Sequence, residues 1–189
     1  MKITLAKTAG FCFGVNRAVN MVYELLDKGE KVCTLGPIIH NPQLVKELED
    51  RGVRIVESPN EVQEGETLVI RSHGVAASVF EEAKQKNLKI ADATCPFVSK
   101  IHRIVAEKSG EGYVTVIAGD ENHQEVKGII GHCSGDCFVI STVDELNDLL
   151  KEKANFEQKS VILVSQTTFN AEIWAKMQKN LKTRIKIQK

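Results

Sequence analysis

The chain has 189 residues, 42% hydrophobic and 26% charged, enough for one large or two small globular domains. Its 25 basic and 25 acidic residues cancel, so no global field draws it to nucleic acid or to a membrane surface. Five cysteines, an odd number without a secretory signal, argue against a disulfide framework and for a reduced, cytoplasmic setting. No stretch approaches the roughly eighteen apolar residues that a membrane-spanning helix needs.

The elements alternate along the chain. Val15–Leu26 has helical spacing, KVCTLG (Lys31–Gly36) reads as a buried strand, and Leu44–Leu48 is helical. VRIVES (Val53–Ser58) and TLVIRSHG (Thr67–Gly74) are strands, and Ser78–Lys86 is a helix ending near Asn87. The second half begins the same series: Val98–Lys108 helical, YVTVIAG (Tyr113–Gly119) a strand, Glu125–Ile130 helical. CFVIST, SVILVSQTT and the helical run Ala171–Leu181 complete it. Strands alternating with helices predict α/β units with mainly parallel small sheets.

The halves repeat in register. Twenty-four residues separate Cys12 from Gly36 and Cys95 from Gly119, and four separate Gly36 from His40 and Gly119 from His123. FCFGVNRAV thus lies on TCPFVSKIH, GPIIHNPQLV on GDENHQEVKG, and RSHG on SQTT, while KNLK occurs at Lys86–Lys89 and again at Lys179–Lys182. The repeat predicts one unit over 1–94, opened by an N-terminal strand, and a second over 95–189. His73 to Cys95 is twenty-two residues, and the same step from Thr167 reaches position 189. A third cysteine is therefore expected just past Lys189, in a third unit that this chain lacks.

Cys12 and Cys95 each stand directly before a helix, where unpaired amides and the helix dipole favour a thiolate. A buried structural cysteine remains the competing reading of each taken alone. Thiolates from successive units meeting at a pseudo-symmetry axis make an iron–sulfur cradle. Three would leave one iron of a four-iron cluster open to substrate. His40 and His123 sit at helix starts, where an imidazolium adds to an anion site, and Asn41-Pro42 is a strong helix start. His73, in Arg71-Ser72-His73-Gly74, ends a strand where α/β folds bind ligands. Glu125, two residues after His123, is placed to move a proton. His102 is expected on the surface and Cys33 in the core. HCSGDC (His132–Cys137) suggests zinc but lacks distant partners, and the basic run Lys176–Lys189 reads as a solvated helix face leading into a further strand.

Six ordered motifs, AGFCFGVNRAV, GPIIHNPQLV, RSHGV, DATCPFV, GDENHQEVKGIIGH and SQTT, cover the whole chain. Together they resemble the LytB family of 4-hydroxy-3-methylbut-2-enyl diphosphate reductases, of the methylerythritol phosphate route to isoprenoids. The resemblance implies two units of a pseudo-threefold α/β trefoil around a 4Fe-4S cluster. It implies Cys12 and Cys95 as two of three cluster ligands, and His40, His73, His123 and Thr167 as substrate contacts. Glu125 would be the proton donor, with Thr167 beside it. The implied reaction is a reductive dehydration of an allylic diphosphate to isopentenyl and dimethylallyl diphosphates, fed by a ferredoxin- or flavodoxin-type donor. Lacking the third cysteine, the chain alone is expected to be inactive. A non-enzymatic phosphate-binding α/β module and a zinc protein are the alternatives.

Overall fold

The computed structural model describes residues 2–4, 6, 7, 9–152, 156 and 159–184. The chain forms two compact units: Met1–Gly74 with Glu81–Pro96, and Val75–Phe80 with Phe97–Lys189.

The first unit opens with α1 (Phe13–Asp27), whose Ala18, Val19 and Val22 form a buried stripe at helical spacing. β1 (Lys31–Leu35), α2 (Pro42–Asp50), β2 (Arg54–Val56), β3 (Glu66–Ile70), α3 (Ala77–Gln85) and β4 (Lys89–Asp92) follow, with α3 crossing into the second unit. The sheet order is β2-β1-β3-β4, every pair parallel. β3 is buried along its whole length, as a strand covered on both faces must be. Val32, Val69, Ile38, Leu48 and Ala93 pack with the α1 stripe into one core. Asn87, at φ 53°, takes the left-handed position just past α3, which is where the sequence ends that helix.

The second unit repeats the plan. α4 (Pro96–Gly110), β5 (Val114–Ala118), α5 (Gln124–Ile130), β6 (Cys137–Ile140), α6 (Val143–Glu152), β7 (Val161–Ser165) and α7 (Ala171–Arg184) follow in order. The sheet order is β6-β5-β7, again all parallel. β5 thus stands between β6 and β7 as β1 stands between β2 and β3. The equivalent glycines are tied alike, Gly36 N–H to Val56 O at 2.8 Å and Gly119 N–H to Ile140 O at 2.9 Å. The repeat read from Cys and His spacing is therefore also a repeat of strand order.

Three readings change. The compact units part at 96/97 rather than 94/95, where Cys95 N–H donates to Ser72 O at 2.9 Å, and residues 75–80 join the second unit. Among the described residues 2–4, 6 and 7 there is no strand, and Ile3 is exposed. His102 is not on the surface but 6% exposed, its ring stacked on His132 at 4.2 Å. Cys33 lies in the core as expected, and burial pushes its thiol up to about 12. β4 and α6 went unassigned in the sequence reading, and residues 185–189 of the basic run lie outside the described residues.

Candidate functional site

Cys12 is the N-cap of α1, with an extended backbone and an exposed thiol that makes no capping bond. Helix N-terminal amides left without a side-chain acceptor favour an anion at this point. Phe11 and Phe13, both exposed, flank it. The 92–95 segment is brought to the same helix by Arg17, whose guanidinium donates to Thr94 O at 3.1 Å and Asp92 O at 3.2 Å. As a result Cys95 lies against Gly14, the second residue of α1. A Cβ on Gly14 would stand 2.6 Å from Cys95 Sγ and 3.0 Å from its Cβ. Cys95 therefore packs on the first turn of α1, the turn that Cys12 caps, and glycine at position 14 leaves room for it.

In the same unit His40 and His73 form a tilted ring pair, centroids 4.8 Å apart. Asn41, not His40, caps α2, accepting from Leu44 N–H at 3.1 Å, with Pro42 in the first helical turn. The loop from Gly36 to His40 is fastened from β3. Arg71 donates to Leu35 O at 3.3 Å, and Ser72 Oγ donates to Ile38 O at 3.5 Å. Gly36 at φ +66° admits the Arg71 guanidinium where any Cβ would collide with it. Burial pulls the Arg71 pKa below its usual value, partly offset by the charge of Glu57. A half-buried guanidinium just past β3 and two imidazoles from the same unit make this end of the sheet a place for an anion.

In the second unit Glu125 is 2% exposed and held by a single residue. Thr167 donates its backbone N–H to Glu125 Oε1 at 2.9 Å and its hydroxyl to Oε2 at 2.8 Å. Thr167 follows β7 directly after Gln166, while Glu125 lies in the first turn of α5. His123 is the N-cap of α5: its Nδ1 accepts from Glu125 N–H at 3.2 Å, which leaves the ring proton on Nε2. Gln166 closes the other side, its Oε1 accepting from Asp120 N–H at 2.9 Å and its Nε2 donating to Thr168 Oγ1 at 2.9 Å. A Cβ on Gly119 would come within 2.7 Å of both Gln166 Oε1 and Val126 Cγ2.

The repeat thus puts one side chain from the third strand's end against one from the helix start, His73 against His40 and Thr167 against Glu125. Sequence reasoning singled out both pairs but passed over Gly14, Arg17 and Ser72. The signal for Arg17 was available, since it stands one helical turn beyond Cys12 in the same motif. Among the described residues no group of three or more His, Cys, Asp or Glu is arranged to hold a metal ion.

Small all-parallel sheets repeated along one chain, with cysteine at helix starts and imidazole, carboxylate and hydroxyl at strand ends, define a class of repeated α/β ligand-binding proteins. The chain belongs to the LytB protein family, whose model matches residues 3–189. It is 47% identical to a 4-hydroxy-3-methylbut-2-enyl diphosphate reductase of Geotalea uraniireducens over 91% of this chain and 58% of the relative. It is 43% identical to the reductase of the same name from Caldanaerobacter subterraneus over 98% of this chain and 64% of the relative. A solved structure of (E)-4-hydroxy-3-methyl-but-2-enyl diphosphate reductase, the terminal enzyme of the non-mevalonate pathway, superposes with a TM-score of 0.80. That match is at 40% identity and covers 97% of this chain and 64% of the other. The Plasmodium falciparum enzyme gives 0.84 at 33% identity, over 95% and 56%. The chain spans about three fifths of the length of these relatives.

Proposed function

We propose that this chain contributes to a reductase that converts 4-hydroxy-3-methylbut-2-enyl diphosphate to isopentenyl and dimethylallyl diphosphates. The single observation that carries the reading is the pair of hydrogen bonds that Thr167 donates to the buried Glu125. A carboxyl group shielded from water and oriented through both oxygens is suited to delivering one proton in one direction. A phosphate-binding module has no use for it.

The balance of the reaction is simple. The allylic C–O bond breaks, two electrons and two protons enter, and water leaves. Glu125 would donate the proton to the departing hydroxyl, with Thr167 Oγ1 holding that oxygen in line. His40, His73 and His123 would bind the diphosphate, backed by the charge of Arg71. A 4Fe-4S cluster fits the residues present: Cys12, capping α1, and Cys95, packed on the first turn of that helix beside Gly14, would offer it two sulfurs. When bound, it supplies the electrons, received from a ferredoxin- or flavodoxin-type donor, and an iron with an open position. Five cysteines free of disulfides suit a reducing cytoplasm. No helix among the described residues is long and apolar enough to cross a membrane.

Two thiolates are one short of a three-cysteine site, so the isolated chain should not turn over. The test is anaerobic reconstitution with iron and sulfide of this chain and of the full-length protein that contains it. Stable visible absorbance in the longer protein, lost in Cys12→Ser and in Cys95→Ser, supports the reading. Cysteine-independent diphosphate binding with no iron uptake by either protein would replace it with the binding module.

A further inference from the structure

The proposed reaction leaves Cys133 and Cys137 unused. Both lie in the second unit, partly buried against Val105, Ile117, Val126 and Ile129. The parallel register sets Cys137 of β6 beside Thr115 of β5, and Cys133 Sγ donates to Thr115 Oγ1 at 3.4 Å. Cys133 and Cys137 are thus both placed beside Thr115, near enough for each sulfur to shift the other's ionisation. The turn carrying Cys133 is pinned at several points. Cys133 N–H donates to Ile130 O at 3.0 Å, Ser134 N–H to Ser109 Oγ at 2.9 Å, and Thr115 N–H to Asp136 O at 2.9 Å. Lys159 holds Asp136 at 3.0 Å. Such a turn keeps the two sulfurs together, so little chain entropy is lost when they join.

The thiols differ in character. Burial alone would raise Cys133, but hydrogen bonding with Thr115, Gly135, Cys137 and Ser109 outweighs it and brings the thiol below its usual value. Burial, and then the neighbouring Cys133, push Cys137 up to about 12. One sulfur is prepared to ionise and attack, and the other keeps its proton until needed.

We propose that Cys133 and Cys137 form a hydroperoxide-responsive dithiol, a modification site separate from Cys12 and Cys95 and independent of the reductase reading. The Cys133 thiolate attacks the hydroperoxide O–O bond. It becomes a sulfenic acid, and the departing alkoxide takes a proton to leave as alcohol. The Cys137 sulfur then attacks the Cys133 sulfur, the S–O bond breaks, and water leaves. Two thiols are oxidised by two electrons in all, and one hydroperoxide is reduced to alcohol and water.

The experiment uses the whole chain with Cys12 and Cys95 replaced by serine, so that its outcome does not depend on any cluster. After brief treatment with hydrogen peroxide the remaining thiols are alkylated and the protein is digested with trypsin. Both cysteines fall in one peptide, Gly128 to Lys151. The expected product is that peptide two hydrogens lighter and unalkylated, restored by dithiothreitol. In Cys137→Ser, Cys133 should instead be trapped as a sulfenic acid by dimedone. Before oxidation, iodoacetamide near neutral pH should label Cys133 about tenfold or more faster than Cys137. Peroxide treatment that leaves both thiols alkylatable, or that carries Cys133 to sulfinic acid with Cys137 still reduced, overturns the proposal. Circular dichroism of each variant separates loss of chemistry from loss of fold.

Discussion

Thr167 grips Glu125 twice, through its amide at 2.9 Å and its hydroxyl at 2.8 Å, at a carboxylate only 2% exposed. Glu125→Gln puts an NH2 where an oxygen now accepts, so one of the two donors on Thr167 faces another donor. The cost should be about 1–3 kcal/mol of stability. In the full-length, cluster-loaded protein the same change should lower kcat by about 10²–10⁴-fold, the usual range for losing a general acid, while KM moves little. Thr167→Val keeps the backbone bond and should lose less. Steady-state kinetics alongside thermal melting checks both, and an unchanged kcat in Glu125→Gln removes the proton-donor role.

Gly14 sets a sharper contest. Replacing a helical glycine by alanine ordinarily stabilises by about 0.5–1 kcal/mol. Here the added Cβ meets Cys95 Sγ at 2.6 Å, and overpacking of this kind costs about 1–3 kcal/mol. The clash should win, with Cys95 displaced rather than α1 unfolded. Gly14→Ala should thus lose iron and sulfide on reconstitution of the full-length protein, and Cys95 of the apo protein should be alkylated faster. Normal iron content with unchanged Cys95 labelling would show that the sulfur can give way at no cost.

The spacing of Cys12, Gly36 and His40 against Cys95, Gly119 and His123 made the repeat visible, because chemistry kept in register is independent of surface drift. It became strand order in three dimensions, β2-β1-β3 and β6-β5-β7. The contacts that set the site were hidden, since Gly14 meets Cys95 across eighty-one residues and only folding brings them together. β4 was obscured by its mixed sequence, KIAD, at an edge. α6 went unread although Thr142 Oγ1 caps it by accepting from Glu145 N–H at 3.1 Å. His102 reads as polar on a helical wheel, and its burial comes from stacking on His132, a long-range partner no periodicity reports.

Asn41 is the cap nearest the His40–His73 pair, and its side chain holds Leu44 N–H at 3.1 Å. Asn41→Ala should cost about 1 kcal/mol, which for a chain of this size lowers Tm by about 2–4 °C. If the helix start also orders His40, inorganic diphosphate should bind more weakly to the variant. Asn41→Asp, which keeps the cap, should hold the helix. Calorimetric melting and diphosphate titration read the two effects separately, and equal melting of Asn41→Ala and the parent rules the cap out as a contributor.

His132 makes stability depend on pH. Burial lowers its pKa below the usual value, and its bond to Val75 O offsets only part of that. The folded chain therefore holds a neutral ring where the unfolded chain, at about 6.5, takes up a proton. Below that pH the unfolded state binds more protons, so the group's contribution is present at pH 7.5 and is lost as pH falls through about 6.5 toward the folded value. His132→Gln keeps an N–H donor for Val75 O but cannot titrate. Urea unfolding at pH 7.5 and at pH 5.5 should show a larger loss of stability in the parent than in His132→Gln. Equal losses in the two proteins would assign the acid sensitivity to other groups.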